Sequence, residues 1–190
     1  FLNNDAFVTS DWLAPLIRLF VDQPDAGAAG PRLIFPDGRL QEAGAFINET
    51  GNPLQVGMVQ VYHPGEELET RIVDYCSGAC LAIPKPVFSY LGGFDSIFEP
   101  AYYEDVDLCF KIAATGRFVY YCPASTVIHI MTVTSARVWN AAELQQIVEV
   151  NRQKFLSRWG DWLRARAENR ELPFPAVEPM SAISDEERSS

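Results

Sequence analysis

The sequence predicts an α/β fold, a sheet layered with helices, on three observations. Short runs of β-type apolar residues alternate with segments of three-to-four apolar spacing. Gly, Pro and Asn/Asp clusters mark the changes of period. With 48% apolar and 21% charged residues, the 190-residue chain has the composition of a globular protein with one sizeable core.

The elements follow in chain order. Phe1-Leu2 reads as the end of an apolar strand running into Asn3-Asn4-Asp5, which predicts that the natural chain continues upstream. Asp11 can cap a helix whose apolar residues Leu13, Leu16, Ile17, Leu19 and Phe20 share one face, until Pro24 and Gly27 stop it. Arg32 to Phe35 reads as a strand entering the turn Pro36-Asp37-Gly38, with Ala43 to Ile47 returning. Residues 48–70 are rich in Gly, Pro and Glu and predict a long loop with a short apolar alternation from Val56 to Tyr62. Residues 72–83 predict a buried strand broken at Ser77-Gly78, where a missing side chain lets backbone or ligand approach. A short helix at 85–90 and a turn at Gly92-Gly93 lead to a helix opened by Glu104-Asp105 and closed by Gly116. Val119 to Cys122 and Thr126 to Ile130 read as strands on either side of Pro123. The last helix spans about 140–169, with Leu144, Val148, Phe155, Trp159, Trp162 and Leu163 as its apolar seam. Residues 171–190 hold acids and prolines with few large apolar groups and predict a disordered tail. The expected organisation is thus a body over 1–139, a packed amphipathic helix over 140–170 and an acidic tail over 171–190.

Charge and composition exclude whole classes of function. Fifteen basic against 25 acidic residues give a net charge of -10, the wrong sign for a phosphate-backbone ligand, so nucleic acid is not an expected partner. No window reaches the ~18 consecutive apolar residues of a membrane span. The basic, Trp-bearing last helix can at most touch an anionic surface peripherally. The four cysteines lack zinc-finger spacing, which predicts buried free thiols in a reducing, cytoplasmic compartment.

Three constellations can carry chemistry. Asn3-Asn4-Asp5 places short oxygen-bearing side chains at a strand end, where hard ligands suit Mg2+ or Mn2+ beside a phosphate, although a plain turn uses the same residues. On residue physics alone the turn is the stronger reading. Glu104, Asp105 and Asp107 open a helix, where the helix dipole stabilises acids; bulky neighbours from Phe98 to Tyr103 can instead dry them and raise the pKa of a general base. The two readings are evenly matched. His129 stands alone in an apolar strand and reads as a core residue, and His63 as an exposed loop residue.

Five ordered motifs carry a resemblance over about residues 1–165: FLNND at the start, GPRLIFPDGRLQEAG from Gly30, VDYCSGACLAI from Val73, LGGFDSIFEPAYYEDVDLCFKIAATG from Leu91, and VYYCPASTVIHI from Val119. The chain resembles the C-terminal two-thirds of a family 2 glycosyltransferase, in its bacterial rhamnosyltransferase-like branch. The resemblance implies a GT-A type mixed sheet flanked by helices, without the N-terminal strands that bind the nucleobase. An exposed sheet edge would follow, and with it a route to homo-oligomers. It implies an inverting, metal-dependent transfer of sugar from a nucleotide-diphospho-sugar donor to a glycan or lipid-linked acceptor, in polysaccharide or glycolipid synthesis at the cytoplasmic face. Asp5 and His129 stand where the family holds Mg2+ or Mn2+, and Asn3 where it meets donor ribose or metal-bound water. Asp105 stands at the family's general base, with Glu104 orienting the sugar or acceptor and serving as the alternative base. Gly78 and Ala79 match the loop lining the donor sugar, and Arg39 and Gln41 lie on a turn within reach of sugar or phosphate. Two departures are visible: Ile130-Met131-Thr132 follows His129 where the family has His and Glu-Gly, and Pro84-Lys85 stands where a basic pair is common. The competing readings are a non-catalytic glycosyltransferase-like module with an interaction role, and a metal-dependent phosphohydrolase.

Overall fold

The computed structural model describes residues 1–57, 69–130 and 138–170. His63, the end of the alternation at Tyr62 and the segment 171–190 lie outside the described residues. In chain order the elements are β1 (Ala6–Val8), α1 (Leu13–Asp22), β2 (Ala26–Ile34), β3 (Leu40–Ile47), β4 (Pro53–Gly57), β5 (Arg71–Val73), α2 (Lys85–Tyr90), α3 (Glu104–Ala114), β6 (Phe118–His129) and α4 (Ala141–Ala167). The mixed sheet runs β1-β6-β2-β3-β4, with β5 also paired to β6. Among the described residues β2 and β6 run parallel and the other strand pairings are antiparallel.

Helices cover both faces, so the expected mixed α/β class stands. On one face Leu16 and Leu19 of α1 pack on Ala26, Ala29, Tyr120 and Cys122. On the other, α3 and α4 bring Phe110, Ile112, Phe155, Trp159 and Leu163 against Val73, Val119 and Tyr121. Phe155 and Trp159 are fully buried, and truncating either to Ala would cost about 3–5 kcal/mol through lost transfer energy and the cavity left behind. Asn140 and Glu143 close a capping box at the start of α4, where the apolar seam begins.

Several boundaries differ from the sequence expectation. Asp11 takes a left-handed conformation (φ 59°) one residue too early, and Trp12 precedes α1 with no side-chain cap. β2 starts at Ala26 rather than Arg32, through small residues of weak β-propensity, because helix packing overrides it. A Cβ on Gly27 would lie 2.3 Å from Ile112 of α3, so the small side chains are what let the helix lie close. Pro123 does not divide β6; the register against β2 shifts between Pro31 and Arg32, so the bulge absorbs it. The expected strand at 72–83 is only β5, followed by single bridges of Tyr75 to Ala45, Cys80 to Leu2 and Ala82 to Ala29. Part of the expected loop at 48–70 is β4, paired to β3. Among the described residues no helix is long and apolar enough to cross a membrane, and Cys76, Cys80, Cys109 and Cys122 are buried free thiols.

Candidate functional site

The carboxyl end of β6, the start of β1, the turn after β5 and the N-terminus of α3 surround one open cleft of about 720 Å³. Asn3, Asp5, Gln41, Gly78, Ala79, Glu104, Asp105 and His129 all line it. Of the residues singled out in the sequence, Arg39 stands apart on its exposed turn, paired with Asp37 at 2.8 Å.

Backbone pairing builds the first wall. Antiparallel β1 sets Ala6 opposite His129, and the amide of Ile130 donates to the carbonyl of Asp5 at 3.1 Å. Asp5 Oδ1 consequently lies 3.3 Å from His129 Nε2. The Asn3 amide donates to the Ala79 carbonyl at 2.9 Å, tying the N-terminal segment to the turn after β5. Gln41, 4% exposed, fixes the imidazole. Its Nε2 donates to the His129 carbonyl at 3.1 Å, which leaves its Oε1 to accept from Nδ1 at 2.8 Å. Burial lowers the pKa of His129 more than the Asp5 charge raises it, so the ring is neutral at pH 7. With the proton on Nδ1, the Nε2 lone pair faces a carboxylate.

Two acceptors facing each other at that distance suit a cation. Neighbouring ligands on an octahedral Mg2+ with bonds of 2.0–2.1 Å stand roughly 3 Å apart. Asp5 and His129 could therefore contribute one ligand each to a divalent ion. Among the described residues no group of three or more His, Cys, Asp or Glu side chains could hold a metal ion.

Carboxylates build a second wall. Tyr102 and Tyr103 both take left-handed conformations (φ 73° and 74°) just before α3, a strain of about 1–2 kcal/mol each for non-glycine residues. Asn151 of α4, 1% exposed, offsets it. Its Nδ2 donates to the carbonyls of Phe98, Ala101 and Tyr102 at 2.6, 2.8 and 3.0 Å. The Tyr103 hydroxyl donates to the Gly51 carbonyl at 2.9 Å. The helix that follows opens on Glu104 and Asp105. Asp105 accepts from the Gly78 amide through Oδ2 and from the Val106 amide through Oδ1, both at 2.8 Å. Burial raises the Asp105 pKa, and these two donors oppose it. Glu104 carries a buried oxygen without a hydrogen-bond partner among the described residues. Burial first, and the neighbouring Asp105 charge second, push its pKa up to about 7. Burial thus favours a proton on this pair near neutrality, and the two N–H donors favour the charge on Asp105. Asp107, the third acid of the cluster, points away from the cleft. It accepts from Arg158 at 2.7 and 2.8 Å and from the Trp159 indole at 2.8 Å, and so docks α4.

Glu42 escaped the sequence reading. It lines the cleft at 3% exposure, accepting from the Ser77 amide at 2.9 Å and from Gln55 Nε2 at 3.1 Å. Burial, aided by the Asp105 charge, pushes its pKa up to about 7. The signal was the small-residue turn at Ser77-Gly78: its consecutive amides hold Glu42 and Asp105. Such a turn needs acceptors, and an acid on a neighbouring strand is the natural supplier.

No family model matches the chain. Curated relatives do. The chain is 34% identical over 136 residues to the O-antigen biosynthesis protein RfbC of Myxococcus xanthus, covering 68% of this chain and 10% of that protein. It is 32% identical over 120 residues to N-acetylglucosaminyl-diphospho-decaprenol L-rhamnosyltransferase of Mycobacterium tuberculosis, covering 56% of this chain and 38% of the enzyme. The chain thus spans well under half the length of these relatives. Among solved structures, GalNAc-T7 with UDP, GalNAc and Mn2+ superposes with a TM-score of 0.61 at 19% identity, over 93% of this chain and 35% of that one, a likeness of fold. With these relatives and this fold, the resemblance carried by the five motifs stands: the chain is a partial match to the family 2 glycosyltransferases of the GT-A fold.

Proposed function

We propose that this chain carries the metal, sugar and acceptor part of an inverting glycosyltransferase. It moves a sugar from a nucleotide-diphospho-sugar donor to a hydroxyl of a glycan or lipid-linked acceptor, in polysaccharide or glycolipid assembly. The single observation that supports this best is the convergence on one cleft of the Asp5–His129 pair and the Asp105 carboxylate. One wall suits a leaving diphosphate and the other an attacking hydroxyl.

The residues divide the work accordingly. The acceptor hydroxyl donates a hydrogen bond to Asp105, which takes its proton as the new bond to the anomeric carbon forms. The bond from that carbon to the donor phosphate breaks in the same displacement, from the opposite side, and the configuration inverts. Protonated Glu104 donates to a sugar or acceptor oxygen, orienting it. Asn3 and the turn at Gly78-Ala79 border the donor sugar. Asp5 and His129 would hold Mg2+ or Mn2+, whose charge stabilises the departing diphosphate. The names of the relatives support a cell-envelope setting, since one acts in O-antigen biosynthesis and another is a rhamnosyltransferase for a diphospho-decaprenol-linked sugar.

The test is calorimetric. Uridine and thymidine diphosphates are titrated into the full-length protein with and without Mn2+, beside Asp5→Ala. Binding that requires the metal and disappears in the variant is the expected result. Equal binding by both proteins, or binding indifferent to metal, would overturn the assignment.

A further inference from the structure

Beyond the cleft, the N-terminal half of α4 and the segment Glu99–Pro100 enclose a second hollow of about 340 Å³. That volume falls in the range of ligand pockets, about 300–1,000 Å³. Pro100 and Trp139 line both spaces, so the two adjoin at these residues. Pro100 lies a few residues before Glu104 and Asp105 in the chain, which places the hollow beside the acceptor region under the proposed function, on which this inference rests.

Its lining has the chemistry of a sugar site. Trp139 presents a flat apolar ring, and a pyranose lays its C–H face on such a ring while its hydroxyls stay free. Glu99 and Gln146 bring planar polar groups able to accept and donate to hydroxyls, and Val150 adds an apolar wall. The floor is rigid. Asn151, which lines the hollow, spends its Nδ2 on three carbonyls of the segment beneath. We infer that this hollow is a subsite for the second sugar of the acceptor glycan, one residue beyond the hydroxyl that Asp105 activates.

The consequence is a preference for acceptors of two or more sugars. In the full-length protein, transfer is measured to synthetic acceptors of one and of two sugar residues at saturating donor. Val150, 46% exposed, can be enlarged without disturbing the core, and Val150→Trp fills the hollow. The wild type is expected to show a KM about tenfold lower for the two-sugar acceptor, the worth of one or two added hydrogen bonds and a stacked ring. Val150→Trp is expected to erase that difference while leaving the one-sugar acceptor unchanged in kcat and KM. Gln146→Ala should erase part of it. Equal KM values for the two acceptors in the wild type, or a preference that survives Val150→Trp, overturns the subsite alone. A wild type that transfers to neither acceptor and binds no nucleoside diphosphate overturns the glycosyltransferase reading and the subsite with it.

Discussion

The two walls of the cleft are made by different means. Asp5 and His129 meet because β1 pairs with the far end of β6, residues 124 positions apart joined by strand register. Glu104 and Asp105 are neighbours in sequence, presented by the first turn of α3 and braced by the turn at Ser77-Gly78. The first wall depends on long-range pairing plus one buried amide, Gln41. The second depends on local helix geometry plus a clamp from α4. Damage to the sheet edge should therefore weaken donor and metal binding, whereas damage around α3 should weaken chemistry.

The largest expected effect is on the acid wall. Asp105→Asn keeps the shape and removes the proton acceptor, so kcat should fall about 10²- to 10⁴-fold while nucleoside diphosphate binding is unchanged. A fall in diphosphate affinity instead would break the division of labour between the walls.

The next effect sharpens the electrostatic side of the comparison. Glu42 holds its proton to about pH 7 in the fold but releases it near 4.5 when unfolded. Between those values the folded state binds more protons, so stability falls as pH rises, and the full penalty is present above pH 7. Glu42→Gln removes it. Because part of the penalty is already present at pH 5, the variant should gain on the wild type by about 2 kcal/mol in going from pH 5 to pH 8. Thermal or urea unfolding at both pH values reads it, and a pH-independent difference would contradict the burial argument.

A smaller effect separates the first wall from the second. Gln41→Leu leaves the His129 ring free to turn and to change tautomer. Support of this kind around a metal-binding His is worth about 10- to 100-fold in metal affinity. Mn2+-dependent diphosphate binding should weaken by that factor with the pH profile of transfer unmoved. A changed profile would mean that Gln41 also serves the acid wall.

These contrasts explain what could be read from the sequence. The layered α/β architecture was legible because periodicity is local, and so was α3, whose acids and Gly116 mark its two ends. Asp105 could be singled out for the same reason, although capping explained it equally well. The Asp5–His129 pair could not, since nothing local to either residue names the other; only motif order brought them together. Glu42 was invisible because an acid next to Gln41 in a short strand looks like a solvated position. Strand alternation turns Gln41 toward His129 and Glu42 toward Ser77, and both directions are buried here. Gly44, with φ 73°, breaks the regular pleat two residues on, where the pairing with β4 shifts register. β2 was read short because its small residues answer to helix packing rather than to strand propensity.

The turn at Ser77-Gly78 has one more implication. Its adjacent amides grip Glu42 and Asp105, so both carboxylates are hung from two successive peptide units. A shift of that turn therefore acts on the anchors of both acids at once.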